Sequence, residues 1–420
     1  MDLVLLTNSF PYGNEEAFLE AEISYLANEF ETVYIYSFAS LQVDSIRSVP
    51  QNVKVSRVKK KEDDRLSLKN LAVFFDKSVL KDMFFCHQHY DYSYKRYVGI
   101  MSINYDVAKK RILPLLSKHD RKNTIFYSYW FSHLSYALAC FKEAKDDAFC
   151  VSRAHRFDNF VDFKSCMMRS YILNHLNAVL PISNQGLIEI KKRMLPFSQN
   201  KNIKLAIHHL GVDLPISSNP ASSSDVYQIV SCSYIWKIKR LDIIIDALSL
   251  IRDVKIRWVH FGGGQEQESV CQYAHSKLEH LSNISYEFRG QTPHEDVLNY
   301  YENNHVDLFI NCSDHEGIPV SIMEAMASGV ICMAREVGGN GEIIKNRENG
   351  YLLSSDSDST EFANAILDAI KEQEETKNVM RINGIKKVRE NFDSTSVYPL
   401  FCKFLKTQFQ NCITEERKNG

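Results

Sequence analysis

The sequence predicts an α/β protein made of two doubly wound domains, each a parallel sheet covered by helices. Three observations carry that expectation. Short apolar runs alternate with amphipathic helical stretches along most of the chain, as parallel strands joined by crossover helices require. A polar, proline-bearing connector, Pro215-Ile-Ser-Ser-Asn-Pro-Ala-Ser-Ser-Ser224, interrupts this alternation near its middle. The 420 residues exceed what one hydrophobic core usually organises, while 24% charged and 45% hydrophobic residues suit a folded globular chain.

Leu3 to Thr7 reads as the first strand, Glu15 to Glu29 as an amphipathic helix and Val33 to Tyr36 as the next strand. Further strands are expected at Thr124 to Tyr127, Phe149 to Ser152, Val179 to Ile182 and Lys204 to His208. Beyond the connector, alternation resumes at Tyr227 to Cys232, Lys255 to Phe261, Ile284 to Phe288, Val306 to Ile310, Val330 to Ala334 and Tyr351 to Leu353. The domains are therefore expected at 1–213 and 225–393, with 214–224 as the linker and a final helical segment at 394–420. Ligands of such sheets bind beyond the strand C-termini, and two facing sheets would enclose a cleft.

Composition narrows the function classes. A formal net charge of −2 gives no basic field for nucleic acid. Ten cysteines lie scattered, without a Cys-x-x-Cys pair or histidines at zinc-finger spacing, so they read as small core residues of a reducing compartment. Met1-Asp-Leu-Val-Leu-Leu6 lacks the basic start and long apolar run of a signal peptide. No run reaches the approximately 20 apolar residues that cross a bilayer. A cytoplasmic protein is expected.

The most informative segment is Asn311-Cys-Ser-Asp-His-Glu-Gly-Ile-Pro-Val-Ser-Ile-Met-Glu-Ala-Met-Ala-Ser-Gly329. It lies between two apolar strands, so it forms the crossover of a strand-helix-strand unit. Pro319 suits the first helical turn and Gly329 the stop, which puts Glu316 just before the helix and Glu324 within it. The N–H groups of Ile318 to Ser321 would then face outward, where a helix start attracts phosphate. A carboxylate on either side suits hydroxyl-rich groups, and a diphosphate flanked by two sugars is a sugar nucleotide. A chance pair of solvated glutamates is the plainer alternative, which the added Gly317, Pro319, Ala325, Ala327 and Gly329 make less plausible.

This segment resembles the signature of family-4 retaining glycosyltransferases of group 1 type, which have the glycosyltransferase-B fold of two facing Rossmann-like domains. The likeness extends to Asn8-Ser-Phe-Pro-Tyr-Gly-Asn-Glu-Glu16, Ser152-Arg-Ala-His155, Leu210-Gly-Val-Asp213, Lys239-Arg-Leu-Asp242, Gly262-Gly-Gly264, Gly338-Gly339 with Glu342, and Asn349-Gly-Tyr-Leu-Leu353. The resemblance implies that the final helix, with Ser394 to Gln410 as candidate, returns to the first, acceptor-side domain, leaving the second to bind the sugar nucleotide. It implies catalytic roles for His155, Lys239 and Glu316. Donor binding would fall to Gly13, Gly290, Gly317, Ile318, Pro319, Val320, Ser321 and Glu324.

Within that resemblance, Glu316 contacts the donor sugar, Glu324 the ribose, and Ser321 with its neighbouring amides the phosphate. Lys239 would neutralise charge on the departing diphosphate. His155 would orient the donor sugar or stabilise positive charge through its ring or carbonyl. Gly13 admits close backbone approach after the first strand, although an ordinary turn glycine reads equally well locally. The chain departs from the family pattern at Tyr234, where an arginine five residues before the lysine is usual. A phenol donates a hydrogen bond but adds no positive charge, so Lys237 or Arg240 would have to compensate.

Other motifs carry less. Gly262-Gly-Gly264 resembles a nucleotide-binding loop but lacks the complete dinucleotide fingerprint, which disfavours a nicotinamide enzyme. Asp356-Ser-Asp358 matches the metal-binding pattern of another glycosyltransferase fold, yet its polar surroundings read better as a loop and helix cap. No cofactor or required metal is expected. Lys59-Lys-Lys61 and the aromatic, basic stretch from Phe84 to Tyr97 offer a peripheral membrane contact, against the simpler reading of a solvated charge run and packed insertion.

The function expected is retaining transfer of a sugar from a nucleotide diphosphate to a glycan or lipid-linked acceptor, in bacterial cell-surface polysaccharide or lipopolysaccharide synthesis. Its rivals are a non-catalytic sugar-nucleotide-binding partner of a polysaccharide assembly complex, motivated by Tyr234, and a sugar-nucleotide epimerase.

Overall fold

The computed structural model describes the chain apart from residues 14, 17, 44, 59–79, 81, 85–86, 88–93, 160–167, 201, 216–218, 221–223 and 420. It contains two compact units, one of Met1–His209 with Ser396–Gly420 and the other of Leu210–Thr395. Lys59-Lys-Lys61, much of the Phe84 to Tyr97 stretch and part of the connector lie outside the described residues.

The first unit holds a seven-stranded sheet of order β3-β2-β1-β4-β5-β6-β7. Its strands are β1 Asp2–Thr7, β2 Val33–Ser37, β3 Val53–Arg57, β4 Thr124–Ser128, β5 Phe149–Ala154, β6 Ala178–Pro181 and β7 Lys204–Leu205. Every pairing is parallel, with Leu3 opposite both Val33 and Ile125. Central strands such as β4 are buried along their whole length, so they read as continuous apolar runs rather than alternating ones. Val4, Leu6 and Phe126 face one core, while Leu3, Leu5, Ile35 and Ile125 face another. The helix Ser394–Asn419 supplies Phe401, Cys402, Leu405 and Phe409 to the second of these cores.

The second unit holds a six-stranded sheet of order β10-β9-β8-β11-β12-β13, again entirely parallel. Its strands are β8 Tyr227–Cys232, β9 Ile256–Phe261, β10 Ile284–Phe288, β11 Leu308–Asn311, β12 Ile331–Arg335 and β13 Gly350–Leu353. Ile229, Trp258, Leu308 and Met333 pack with Ile244, Leu248, Phe362 and Ile366 from covering helices. Successive strands step outward from β8 on one side and from β11 on the other. The β8–β11 junction is therefore a topological switch point, where ligands of open α/β sheets bind.

Three local expectations are corrected. The first helix begins at Leu19 instead of Glu15, because Glu16 adopts a left-handed φ of 55° and turns its carboxylate back onto the chain. That carboxylate accepts from the N–H groups of Asn8, Ser9 and Phe10 at 3.1, 2.8 and 2.6 Å, which offsets the backbone strain. Strand β7 stops at Leu205 instead of reaching His208. The boundary between units falls after His209 rather than after Asp213, because Val212 N–H donates to Phe392 O at 2.8 Å and Ser394 N–H to Val212 O at 3.0 Å. These bonds tie the segment to the second unit.

Candidate functional site

In the second unit, the loops after β8 and β11 meet at the switch point. The chain leaving β8 passes through Ser233, Tyr234 and Ile235 into the short helical turn Lys237–Lys239, with Arg240 in the left-handed region at φ 50°. The Gly262-Gly-Gly264 turn after β9 fixes this loop. Ile235 N–H donates to Gly263 O at 3.0 Å, and a Cβ on Gly262 would lie 2.0 Å from Ser233 O. The triple glycine thus serves close packing of one loop on another.

Lys239 Nζ donates to Glu316 Oε1 at 2.7 Å, joining the loops that follow β8 and β11. Ser313 Oγ and Asn311 Nδ2 donate to the same oxygen at 2.6 and 3.0 Å. Glu316 is buried, and burial alone would raise its pKa. Lys239 and the Ser313 and Asn311 hydrogen bonds outweigh that penalty and hold it below the usual carboxylate value. Gly338 and Gly339 support the loop from beneath. A Cβ on Gly338 would come 1.7 Å from Glu316 O, and Gly339 N–H donates to Gly317 O at 2.6 Å.

Gly317, Ile318 and Pro319 lead into the helix Val320–Ala327, with Pro319 at its N-cap rather than inside its first turn. Pro319 has no N–H to lose and its extended ψ of 119° starts the helix cleanly. Ile322 N–H turns back to Pro319 O, whereas those of Val320 and Ser321 meet no acceptor among the described residues. The adjoining Lys239 adds positive charge beside this helix start. Glu324 is buried on the same helix, and its Oε1 lies 2.5 Å from His294 Nε2. Gly290 takes a left-handed φ of 65° after β10, and Gly262 N–H donates to its carbonyl at 2.9 Å.

The cation sought in place of the arginine does not come from Arg240, which is bound to Asp242 at 2.8 Å and Asp314 at 3.0 Å. Asp314 also holds Arg335 at 2.7 Å, so this trio braces the loop. Tyr234 lies exposed and stacks on Trp236 with ring centroids 5.8 Å apart. Asp358 caps the helix Ser359–Lys371 through a capping box with Glu361, while Asp356 accepts from Ser354.

His155 and Gly13 belong to the first unit. Gly13 adopts φ 66° after β1, and its N–H donates to Ser45 O at 3.0 Å. His155 follows β5 with its ring packed on Trp130 and Tyr129 at 4.6 and 4.8 Å between centroids. Burial, followed by the nearby Arg153 guanidinium, pushes the imidazole pKa well below its ordinary value. Its ring is therefore neutral at pH 7. Asp158 Oδ2 accepts the His155 N–H at 2.9 Å, and the His155 carbonyl accepts from Asp158 N–H at 3.0 Å. Burial raises the Asp158 carboxyl to about 6 despite Arg169 and the N–H groups of His155 and Phe131 that donate to it. Trp130 Nε1 donates to Glu16, linking the aromatic group around His155 to the loop containing Gly13.

The residues that sequence reasoning did not single out are mainly those that aim the others. Asn311 and Ser313 were legible as polar residues within the signature segment, but nothing in their spacing distinguished them from loop solvation. His294 is 30 positions before Glu324 and carries no local signal.

The profile of the family "Glycosyl transferases group 1" matches residues 216–387. A putative glycosyltransferase, YtcC, from Bacillus subtilis is 32% identical over 30% of this chain and 30% of its own. UDP-Gal:alpha-D-GlcNAc-diphosphoundecaprenol alpha-1,3-galactosyltransferase of Escherichia coli is 32% identical over 21% of this chain and 22% of its own. The chain thus matches less than a third of the length of either relative. In three dimensions it is similar to Anabaena Alr3699/HepE, solved with UDP and glucose, at TM-score 0.66 and 15% identity, covering 97% of this chain and 100% of that one. The chain has the glycosyltransferase-B fold, and its residues 216–387 match the model of the group 1 glycosyl transferases.

Proposed function

We propose that this protein is a retaining glycosyltransferase that moves a sugar from a nucleotide diphosphate to a hydroxyl of a glycan or lipid-linked acceptor in surface polysaccharide synthesis. The observation that carries this reading is the contact of Lys239 with Glu316 beside the open N–H groups of Val320 and Ser321. One lysine and a helix start suit a diphosphate. Buried carboxylates at Glu316 and Glu324 suit the hydroxyls of a sugar and a ribose.

The chemistry follows from charge. As the glycosidic bond breaks, negative charge builds on the diphosphate, and fixed N–H groups with Lys239 stabilise it more than they stabilise the intact donor. Glu316, kept ionised by Lys239, Ser313 and Asn311, accepts hydrogen bonds from the sugar hydroxyls and holds the ring for transfer. No carboxylate here is assigned as a nucleophile. The acceptor oxygen enters on the face the diphosphate leaves, and a phosphate oxygen takes its proton, so configuration is retained. His155, neutral at pH 7, supports positive charge on the sugar through its carbonyl or ring rather than by gaining a proton. No metal or other cofactor takes part in this scheme.

The lipid-linked acceptor finds support in the E. coli relative whose name specifies a diphosphoundecaprenol substrate. A UDP donor finds support in the HepE complex. We place the protein in the cytoplasm or at the inner membrane face. No helix among the described residues is long and apolar enough to cross a membrane.

Incubation with UDP-, GDP- and ADP-sugars and an acceptor panel, followed by product NMR, tests this reading. A product with the donor's anomeric configuration and stoichiometric nucleoside diphosphate supports it, while an inverted product overturns retention. Arg240 is held by Asp242 and Asp314, which leaves Lys237 as the remaining candidate to replace the missing arginine. That observation favours, as the second reading, a sugar-nucleotide-binding partner without turnover. Tight donor binding with no release across the panel would favour it.

A further inference from the structure

Glu324 is a buried carboxylate with unequal oxygens. Oε1 lies 2.5 Å from His294 Nε2, whereas Oε2 accepts no hydrogen bond among the described residues. His294 is the first residue of the helix His294–Asn303 and is partly exposed. The preceding Pro293, in extended geometry at ψ 143°, fixes where this helix begins and hence where the imidazole points. The remaining titratable neighbours of Glu324 do not compete for this role. Cys232 and Tyr301, kept protonated by burial, make no hydrogen bond to Glu324, and Asp213 and Glu302, which line a cavity of about 150 Å³ beside it, are acceptors themselves.

We propose that His294 is a positioning residue for ribose recognition: by donating from Nε2 to one oxygen of Glu324, it fixes the carboxylate rotamer and leaves the other oxygen to accept a ribose hydroxyl. This rests on the reading of Glu324 as the ribose acceptor. A short hydrogen bond to an ionised acceptor is strong and directional. Without it, a buried carboxylate on a rotatable side chain must be ordered by the ligand, at a cost in affinity. His294 requires its Nε2–H form for the task, which both the neutral Nε2 tautomer and the imidazolium provide.

The test measures calorimetric affinities of UDP and GDP and of their 2′-deoxy and 3′-deoxy forms, with inorganic diphosphate as a probe of the phosphate site alone. Wild type, His294→Ala, His294→Gln, Glu324→Ala and the His294→Ala/Glu324→Ala double variant are compared. In wild type, the better-bound ribonucleotide should exceed one of its deoxy forms by about tenfold. His294→Ala should lose most of that ratio while binding inorganic diphosphate unchanged. His294→Gln, whose amide reaches a similar position and donates, should restore it. The double variant should be no worse than Glu324→Ala. A wild type blind to both ribose hydroxyls overturns the assignment of Glu324 and this inference with it. A wild type that discriminates, beside a His294→Ala variant that keeps the same ratio, overturns the role of His294 alone.

Discussion

Replacing Lys239 by alanine removes the only cation bound to Glu316 among the described residues, and leaves a buried carboxylate with Ser313 and Asn311 as its donors. Truncating one member of a buried pair costs about 3–5 kcal/mol. Here the lysine side chain is 22% exposed and the two neutral donors remain, so water and Ser313 absorb part of the loss. We expect about 2–3 kcal/mol, or a fall of about 5–10 °C in the melting transition of the second unit. The loss depends on pH in a defined sense. Glu316 has a lowered pKa in the folded chain, so its contribution is fully present above its unfolded value of 4.5 and is lost as pH falls through the folded value. In the variant, burial acts without Lys239 and the carboxyl protonates more readily. The difference between wild type and Lys239→Ala should therefore be largest near neutrality and shrink as pH falls towards the lowered folded value of Glu316 in the wild type. Differential scanning calorimetry across this range measures it. Equal melting at pH 7, or a deficit that stays constant into acid, would refute the buried-pair argument.

The remaining expectations concern turnover and the supporting loops. Glu316→Gln should keep the fold but lower turnover by about one to two decades, because a charged acceptor becomes a neutral one; wild-type rates and donor preference in the folded variant would remove Glu316 from the sugar site. Gly338→Ala places a Cβ 1.7 Å from Glu316 O at a residue with φ 54°, so it should destabilise the second unit and lower turnover together; a soluble variant with unchanged melting and activity would show that this contact does not hold the loop. Tyr234→Arg should raise turnover severalfold, since Arg240 is already held by Asp242 and Asp314. An unchanged rate, measured as nucleoside diphosphate release, would mean that the missing arginine is not limiting.

Much of the fold was legible because both sheets are parallel and buried on two faces, which leaves nearly continuous apolar runs such as Ile125-Phe-Tyr127 and Leu308-Phe-Ile310. The exception explains itself. Strand β3 escapes notice because it lies at the sheet edge and alternates Val53 and Val55 with exposed or half-exposed Lys54, Ser56 and Arg57. Glu16 fits a helical pattern in the sequence, whereas its conformation is set by the N–H groups of Asn8, Ser9 and Phe10. At the candidate site, the signature segment located Glu316, Glu324 and the helix start. Its order with the glycine pairs was visible, but their physical purpose was not. Gly262 and Gly338 are required by the carbonyls of Ser233 and Glu316, contacts between distant positions that no local pattern encodes. The same holds for His294 against Glu324.

On this proposal the loops after β8 and β11, with the start of the helix Val320–Ala327, hold the diphosphate of a sugar nucleotide. A crystal structure with the preferred donor's nucleoside diphosphate tests it most directly. Phosphate oxygens should lie within about 3 Å of Lys239 Nζ and of the Val320 and Ser321 N–H groups, with a ribose hydroxyl at Glu324 Oε2. A nucleotide bound with its phosphates away from this helix start, leaving Lys239 on Glu316 alone, would contradict it.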